Sequence, residues 1–395
     1  MNPRSVLVLA NDFPDEHDER PAGIFIKEQV RALARTGLPQ IVIIPYPTGL
    51  ERYRRTRYHD YETAEGVPIR FLRYPNPLFP LQWHAWKHGW VSVEARAVAA
   101  FLHKHGLRPP LVQAHYTWPT GAVGAELARH RRVPLVITEH AHTTIDPFIS
   151  RSDPILKRAW MTADAVVRVS SADVDRYTAI AGRRKVHVIY NGHDDTLMRP
   201  IDRYKARCAL GLCPERRLLF SLGGLYQYKG HRYLVESMRE LTQKNSEVDL
   251  LIGGDGPQRT ALQKQIAKLG LTKRVQLLGT LHHSEVPFWM AACDVFVLPS
   301  VVESFGIVQV EALACGRPVV ATYNRASQDI ITHESYGLLC PPEDVAGLSV
   351  CLLDALGRTW EERVLVERAK DFTWTTNAES YRDLYRPLLE RMPPQ

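Results

Sequence analysis

The chain has 395 residues, of which 45% are hydrophobic and 24% charged, and its formal net charge is +7. At ~150 residues per domain, this length predicts two globular domains with sizeable cores. No apolar run is long enough to cross a bilayer, and the opening run SVLVLA is too short for a signal peptide. The composition therefore disfavours a membrane-spanning protein and predicts a soluble one.

Apolar runs alternate with helical patterns along the first half, which is typical of a parallel α/β sheet. These runs are SVLVLA, QIVIIP, LVQAH, PLVITEH, AVVRVS and KVHVIYN. The pattern restarts in the second half with RLLFSLGG, VDLLIGG, RVQLLG, DVFVLPS and PVVAT. The polar segment from Asn191 to Cys208 separates the halves. We therefore predict two doubly wound domains that face each other across a ligand cleft, because ligands bind beyond the carboxyl ends of such strands.

Two glutamates, Glu303 and Glu311, lie in the stretch VESFGIVQVEALACG, directly after the strand DVFVLPS. Ser304 could cap a helix there, and Gly316 would end it. At ~1.5 Å per residue the two glutamates are roughly 12 Å apart, too far to act together on one glycosidic bond. An elongated ligand suits them better, with hydroxyls at both ends and negative charge facing the helix amides between them. A sugar nucleotide has this layout, although a turn glutamate and a solvated helix glutamate remain the simple alternative.

Two other strand ends carry residues that could bind a ligand. In LGGLYQYKG, Lys229 follows a strand and precedes a helix, where its ammonium could neutralise a diphosphate; a solvated loop lysine is the alternative. His115 ends the strand VQAH and would point into the same cleft, unless it is structural. The turn IGGDGPQR lacks the Gly-x-Gly-x-x-Gly spacing, which disfavours a nicotinamide enzyme.

In this order, these motifs resemble a known family. From Arg217 to Pro342 the chain resembles the donor half of the retaining glycosyltransferase family 4 (glycosyl transferases group 1), which has the GT-B fold. The matching elements are the Gly-Leu-x-x-x-Lys-Gly segment, the Gly-Asp-Gly-Pro turn, Gly279, Pro299-Ser300, Glu303-Ser-Phe-Gly-Ile and Glu311. The first half is similar to the acceptor half through PAGIFIKEQ, AHYTWPTG and TEHAH, and FTWTTNAESYRDLY resembles the final helix.

The resemblance implies three parts of the chain. An acceptor-binding Rossmann-like domain would cover 1–192 and a nucleotide-sugar domain 193–372, and a C-terminal helix over 373–395 would pack back on the first domain. It also implies transfer of a hexose-type sugar from a UDP- or GDP-linked donor to a saccharide or lipid-linked acceptor, in polysaccharide or glycoconjugate synthesis. The α configuration would be retained by front-side attack, and no metal or other cofactor would be needed.

Residue roles follow from the same resemblance. The catalytic residues would be His115 and Glu303. The donor sugar would contact Glu303, Ser304, Phe305, Gly306 and Ile307, and Glu311 would hold the ribose. The diphosphate would contact Gly23, Gly224, Lys229 and Arg325.

The chain departs from the family at Gly224, where an arginine usually binds the diphosphate. Arg325, in NRASQDI, is the candidate to restore that charge; a surface arginine is the alternative. The departure keeps a non-catalytic sugar-nucleotide or membrane-surface binding protein open. A sugar-nucleotide epimerase or a phosphorylase on the same scaffold also stays open.

The remaining patterns concern metals, cell compartment and membranes. The only Asp-x-Asp, at Asp173 and Asp175, lies in a predicted helix where the two side chains diverge, so no metal site is predicted. The cysteines form no Cys-x-x-Cys pair and are typical of reduced core residues in a cytoplasmic protein; they are Cys208, Cys213, Cys293, Cys315, Cys340 and Cys351.

Basic and aromatic residues in the first half suggest a membrane surface rather than nucleic acid. A basic stretch interleaved with tyrosines precedes tryptophans at helical spacing; these residues are Arg52, Arg54, Arg55, Arg57, Trp83, Trp86 and Trp90. Together they could bind the inner face of the cell membrane, where lipid-linked acceptors lie. The alternative is that the tryptophans pack into the acceptor domain or line its cleft.

Overall fold

The computed structural model describes residues 2–16, 23–48, 59–75, 87–140, 153–244 and 247–391. The chain divides into two units: Met1–Asn191 with Trp374–Gln395, and Gly192–Thr373. Each unit is built around one largely parallel sheet with buried, β-branched strands. The α/β class expected from the alternating apolar runs is confirmed.

The first unit contains eight strands in the order β3-β4-β2-β1-β5-β6-β7-β8. They are β1 (Val6–Leu9), β2 (Gln40–Thr48), β3 (Tyr61–Glu62), β4 (Pro68–Pro75), β5 (Val112–His115), β6 (Leu135–Glu139), β7 (Ala165–Arg168) and β8 (Val186–Val188). All pairs are parallel except β3 with β4. The helices of this half are α1 (Ile24–Arg35), α2 (Lys87–Lys104), α3 (Ala122–Arg131), α4 (Pro154–Thr162) and α5 (Val174–Ala181).

The second unit contains six parallel strands in the order β11-β10-β9-β12-β13-β14. They are β9 (Arg217–Leu222), β10 (Val248–Gly253), β11 (Val275–Gly279), β12 (Val295–Leu298), β13 (Val319–Thr322) and β14 (Gly337–Cys340). The helices are α6 (Arg203–Ala209), α7 (His231–Lys244), α8 (Arg259–Lys268), α9 (Val286–Ala292), α10 (Ile307–Ala314), α11 (Ala326–Ile330), α12 (Val345–Gly357) and α13 (Glu362–Ala369).

The C-terminal helix α14 (Trp374–Glu390) belongs to the first unit and packs on α1. Asn377 joins it to both α1 and the strand side of the unit, since its Oδ1 accepts from Gln29 Nε2 at 3.1 Å and its Nδ2 donates to the carbonyl of Tyr190 at 2.6 Å. The Tyr381 hydroxyl lies 2.8 Å from Thr138 Oγ1 on β6. These polar contacts fix α14 on the first unit, where the family resemblance implies that it packs.

Three strands, β3, β4 and β14, lie outside the predicted runs. Strand β3 has two residues and β14 has four, so neither carries enough alternation to be recognised. Strand β4 reads PIRFLRYP, and prolines at both ends disguise it.

The prediction that all cysteines are core residues is wrong for two of them. All six are free thiols, and Cys293, Cys315 and Cys340 are buried as expected, with Cys351 partly buried. Cys208 and Cys213 are exposed, because they lie in the short helix α6 and in the turn before β9 rather than in a strand.

Candidate active site

Three adjacent strands of the second sheet bring the predicted donor residues to one edge. Strand β12 lies between β9 and β13, and all three run parallel. Their carboxyl ends therefore meet at the same edge, where ligands bind in open α/β sheets. Lys229 follows β9, Glu303 follows β12 and Arg325 follows β13.

The Lys229 ammonium and the Glu303 carboxylate form a salt bridge, with Nζ 2.6 Å from Oε2. Both side chains are mostly buried, at 20% and 10% exposed. Glu303 also accepts from Ser300 Oγ at 3.3 Å and from its neighbour's amide, Ser304 N, at 3.2 Å. The residue predicted to bind the diphosphate and the residue predicted to bind the sugar are thus in direct contact, although they lie 74 positions apart in sequence.

Backbone contacts hold the two loops together. The amide of Val301 donates to the carbonyl of Tyr228 at 2.8 Å. Gly230 lies against Pro299 with φ 70°, and a Cβ at this position would overlap the Pro299 carbonyl. Glycine is therefore required directly after Lys229, because both the left-handed backbone and the close approach exclude a side chain.

Helix α10 begins two residues later than Ser304 capping would require. Its N-cap is Gly306, with φ 79° and ψ 62°, and no side chain caps the helix. The expected capping role of Ser304 is therefore wrong. Phe305 is buried and packs on Phe372, with ring centroids 5.7 Å apart, so its side chain points into the unit. Gln309 N already donates to the Gly306 carbonyl at 2.9 Å, which leaves the amides of Ile307 and Val308 without intrahelical acceptors and able to face an anion.

Glu311 lies in the second turn of α10 and is 7% exposed. Its side chain forms no hydrogen bond or salt bridge within the part of the chain that the structure describes. Burial raises the pKa of this carboxyl to about 7. A nearly buried carboxylate with unfilled acceptor positions is suited to binding hydroxyl groups.

Gly224 lies in the loop after β9, and Arg325 lies in the loop after β13. The ring of Tyr226 covers Gly224, since an added Cβ would lie 2.8 Å from a ring carbon. Arg325 is exposed and precedes α11 with φ 63°. The neighbouring Asn324 ties this loop to β12, because its Nδ2 donates to the Ser300 carbonyl at 3.4 Å.

Sequence reasoning missed two polar residues that shape the site. Gln309 is fully buried, and its Nε2 donates to the Phe305 carbonyl at 3.3 Å, which fixes the turn before α10. Asn324 Oδ1 accepts from Ser327 N at 2.8 Å and starts α11. For Gln309 the available signal is an amide side chain in a mostly apolar helix, whereas Asn324 lies among other polar residues and carries no such signal.

A cavity of about 810 Å³ lies elsewhere in the second unit, at the amino ends of the strands. Its lining includes Arg217 and Asp294. Asp294 already accepts from Arg207 Nη2 at 2.8 Å and from Leu218 N at 2.7 Å. The charged side chains that line this cavity therefore form a structural network, which lies at the sheet edge opposite to Glu303.

Comparison with known proteins gives the family. Residues 202–371 match the model for glycosyl transferases group 1, and residues 22–197 match the model for glycosyltransferase family 4. A D-inositol 3-phosphate glycosyltransferase of Catenulispora acidiphila is 30% identical over 306 residues, covering 71% of this chain and 72% of that protein. The chain belongs to glycosyltransferase family 4.

Other relatives of this glycosyltransferase differ in the products their names describe. A putative teichuronic acid biosynthesis glycosyltransferase of Bacillus subtilis is 29% identical, with 76% of each chain covered. The sucrose-phosphate synthase of Thermosynechococcus elongatus superposes with a TM-score of 0.80 at 22% identity, covering 98% of this chain and all of that one. Anabaena HepE in complex with UDP has a TM-score of 0.76, also at 22% identity, with 97% and 100% covered. The two superpositions confirm the GT-B fold.

In the first unit of the glycosyltransferase, His115 ends β5 and is completely buried. Its Nδ1 lies 2.9 Å from His140 Nε2, and the two rings stack with centroids 5.1 Å apart. Burial lowers the pKa of His115 to about 3, and it also lowers the pKa of His140. The pair is therefore neutral at physiological pH.

Gly23 is the N-cap of α1, with φ 78°. An added Cβ would lie 2.5 Å from the carbonyl oxygen of Asp12, in the loop that follows β1. The start of α1 and this loop therefore approach each other closely at the carboxyl edge of the first sheet.

Trp90 does not belong to an exposed tryptophan stripe. It is 8% exposed, and its Nε1 donates to Glu94 Oε2 and to the Tyr74 hydroxyl, both at 2.8 Å. Its position on α2 turns the ring toward β4 rather than toward solvent, as the packing alternative predicted. Trp83 and Trp86 lie outside the described residues, as do Arg52, Arg54, Arg55 and Arg57.

The described residues contain neither a membrane-spanning helix nor a metal-binding cluster. None of their helices is long and apolar enough to cross a membrane. Among the same residues no group of three or more His, Cys, Asp or Glu is arranged to hold a metal ion. Asp173 is the N-cap of α5 with φ 60°, and Asp175 lies in its first turn.

Proposed function

We propose that this glycosyltransferase moves a hexose-type sugar from a nucleoside diphosphate donor to a hydroxyl group of a saccharide or lipid-linked acceptor. The observation that carries the proposal is the Lys229–Glu303 salt bridge of 2.6 Å beside the start of α10. It joins a cation suited to a diphosphate with a carboxylate suited to sugar hydroxyls. Glu311 provides a second hydroxyl acceptor farther along the same helix.

Donor binding would replace the salt bridge with ligand contacts. The Lys229 ammonium would turn to the diphosphate, and the amides that follow Phe305 and Gly306 would face the same charge. Glu303, released from the lysine, would accept hydrogen bonds from hydroxyls of the transferred sugar, with Ser304 and Ile307 beside it. Glu311 would accept from the ribose hydroxyls.

The nucleotide is proposed from the solved structures that resemble this chain. The Anabaena HepE structures are complexes with UDP and with UDP-glucose. A UDP-linked hexose is therefore the first donor to test, with a GDP-linked hexose second.

The acceptor class is proposed from the relatives' names. They describe transfer to D-inositol 3-phosphate and synthesis of teichuronic acid. Both names point to polyhydroxylated ring compounds, so we propose a saccharide, free or linked to a lipid, in polysaccharide or glycoconjugate synthesis. A lipid-linked acceptor would put the enzyme in the cytoplasm at the inner face of the membrane.

Catalysis would depend on stabilising the departing diphosphate. Lys229, the amides of α10 and Arg325 would face the negative charge that develops as the glycosidic bond breaks. The acceptor oxygen would attack from the same side of the sugar, and the leaving diphosphate oxygen would take its proton, so the α configuration is retained. Gly23 and Gly224 would let backbone approach the phosphates.

His115 would line the reacting centre as a neutral group. With a pKa of about 3 it carries no charge to stabilise the leaving group. Its complete burial and its contact with His140 make it a positioning residue rather than an acid or base.

The test begins with thermal-shift screening against UDP, GDP, ADP and dTDP sugars. The stabilising donor is then incubated with D-inositol 3-phosphate and with methyl glycosides, in the presence of EDTA, and the product is analysed by proton NMR. We expect an α-linked product and full activity with EDTA. A β-linked product, or activity abolished by the chelator and restored by Mg²⁺ or Mn²⁺, would contradict the mechanism. If a sugar 1-phosphate is released only when inorganic phosphate is added, the protein is a phosphorylase instead.

A further inference from the structure

Two tyrosines in the loop after β9 present their rings to solvent. Tyr226 and Tyr228 are 47% and 42% exposed, and their rings stack with centroids 5.7 Å apart and an interplanar angle of 12°. We refer to this pair as the tyrosine platform. Neither hydroxyl forms a hydrogen bond with the described residues, so the rings are not held by polar contacts of their own.

The platform adjoins the candidate donor site. The Lys229 ammonium lies 5.7 Å from the centre of the Tyr228 ring and forms the salt bridge with Glu303. An aromatic ring therefore adjoins the cation and the carboxylate of the candidate donor site.

Backbone hydrogen bonds restrain the loop that carries the platform. Tyr226 N donates to the Gly224 carbonyl at 2.8 Å, and Lys229 N donates to the Tyr226 carbonyl at 3.0 Å. The Tyr228 carbonyl accepts from Val301 N at 2.8 Å. A surface held in this way loses little conformational freedom when a ligand covers it.

Gly224 makes room for the platform. Any other residue there would bring its Cβ to 2.8 Å from the Tyr226 ring. The glycine that replaces the family's arginine is thus matched to an aromatic side chain two positions later. This chain therefore has the exposed Tyr226 ring beside the position where the family usually has a cationic side chain.

We propose that the tyrosine platform binds the sugar ring of the acceptor by stacking against its C–H face. Aromatic rings carry a negative face that attracts the weakly positive C–H groups of a pyranose or cyclitol. In the donor layout the nucleobase lies beyond the ribose at Glu311, whereas the platform adjoins Lys229 and Glu303 at the sugar end. This inference rests on the proposed function and specifies its acceptor site.

The experiment compares Tyr226→Ala and Tyr228→Ala with Tyr226→Phe and with Tyr204→Ala. Tyr204 is 63% exposed on α6 and is the matched control. With UDP-glucose as donor and D-inositol 3-phosphate as acceptor, the alanine variants should raise the acceptor KM by about 3- to 10-fold, the size of one aromatic contact. The donor KM and kcat should change less than about twofold, and Tyr226→Phe and Tyr204→Ala should resemble the wild type.

A binding measurement separates this inference from the proposed function. Saturation-transfer-difference NMR with methyl α-D-glucopyranoside, on protein saturated with UDP, reports ring contact without turnover. We expect saturation of the ring protons in the wild type and its loss in Tyr226→Ala. The platform is overturned if the wild type shows no saturation transfer to the sugar ring protons. It is also overturned if the acceptor KM is unchanged in both alanine variants, or if only the donor KM rises. Absence of transfer with retained sugar saturation would instead overturn the proposed function.

Discussion

Glu303 and Lys229 neutralise each other in the ligand-free protein, which makes their separate roles measurable. Glu303→Gln should lower kcat/KM by about 100- to 1,000-fold, because the transferred sugar loses a carboxylate contact. UDP affinity should stay the same or rise, since the amide leaves Lys229 free for the diphosphate. Titration calorimetry with UDP and steady-state kinetics measure the two effects.

The matched variant is Lys229→Met, which should lose UDP affinity as well as turnover. Equal losses of UDP affinity in both variants would show that the salt bridge supports the fold of the loop rather than the binding of a donor. Thermal unfolding of both proteins provides the control for folding.

Glu311 should make donor affinity depend on pH. Its pKa of about 7 means that the carboxyl is protonated below neutrality, and the ionised form accepts two hydroxyl hydrogen bonds. Affinity for a nucleotide sugar should therefore rise from pH 6 to pH 8 and then level off. In Glu311→Gln the affinity should be lower and nearly constant over this range. A wild-type affinity that does not change with pH would reject the ribose role.

Strands and helices determine the environment of another buried acid, Glu94 on α2. The Tyr74 hydroxyl on β4 donates to it at 2.6 Å and Trp90 Nε1 at 2.8 Å, yet burial outweighs both contacts and raises its pKa from 4.5 to about 7. The folded protein therefore binds this proton more tightly than the unfolded chain between pH 4.5 and pH 7. Its contribution to stability is complete below this window and is lost as the pH rises through it.

Glu94→Gln should remove this dependence. Between pH 5 and pH 8 the free energy of unfolding of the wild type should fall by up to about 3 kcal/mol more than that of the variant. Urea unfolding at the two pH values measures the difference. Parallel pH profiles for the two proteins would show that Glu94 is not protonated in the folded state.

The loops after β9 and β13 provide a test of charge replacement. If Arg325 supplies the cation that Gly224 lacks, Arg325→Ala should lower turnover by about 10- to 1,000-fold. An arginine at Gly224 would bring its Cβ to 2.8 Å from the Tyr226 ring, so the test variant also shortens this side chain. The triple variant with Gly224→Arg, Tyr226→Ala and Arg325→Ala should then recover turnover at saturating acceptor. Wild-type turnover in Arg325→Ala would leave Lys229 and α10 to bind the diphosphate.

At the scale of the whole molecule, the basic stretch from Arg52 to Arg57 should bind anionic membranes. Because Trp90 is buried, any contribution from tryptophans has to come from Trp83 and Trp86. The protein should co-sediment with vesicles of anionic phospholipid at low salt and less with neutral vesicles or at 0.5 M salt. A variant with all four arginines changed to glutamine is the control, and its binding should fall to the neutral level. Equal binding of the wild type and the variant would show that these arginines do not bind the membrane.

Much of the fold follows from local patterns in the sequence. The runs around Leu7, Val42 and Phe296 predicted central strands because a strand buried on both faces needs continuous apolar residues. Glu303, Lys229 and Gly306 were identified as site residues because each follows a strand or opens a helix. Such positions are determined by neighbours a few residues away, which a sequence displays directly.

Tertiary structure alone decided which of these residues meet. Lys229 pairs with Glu303 because β9 lies beside β12, although β10 and β11 intervene in sequence. The burial of Trp90 and His115 depends on strands and helices that cover them from elsewhere in the chain. The covering of Gly224 by Tyr226 depends on how their loop folds. Partners and burial are properties of the packed chain, so periodicity predicts the elements while packing determines the chemistry at their ends.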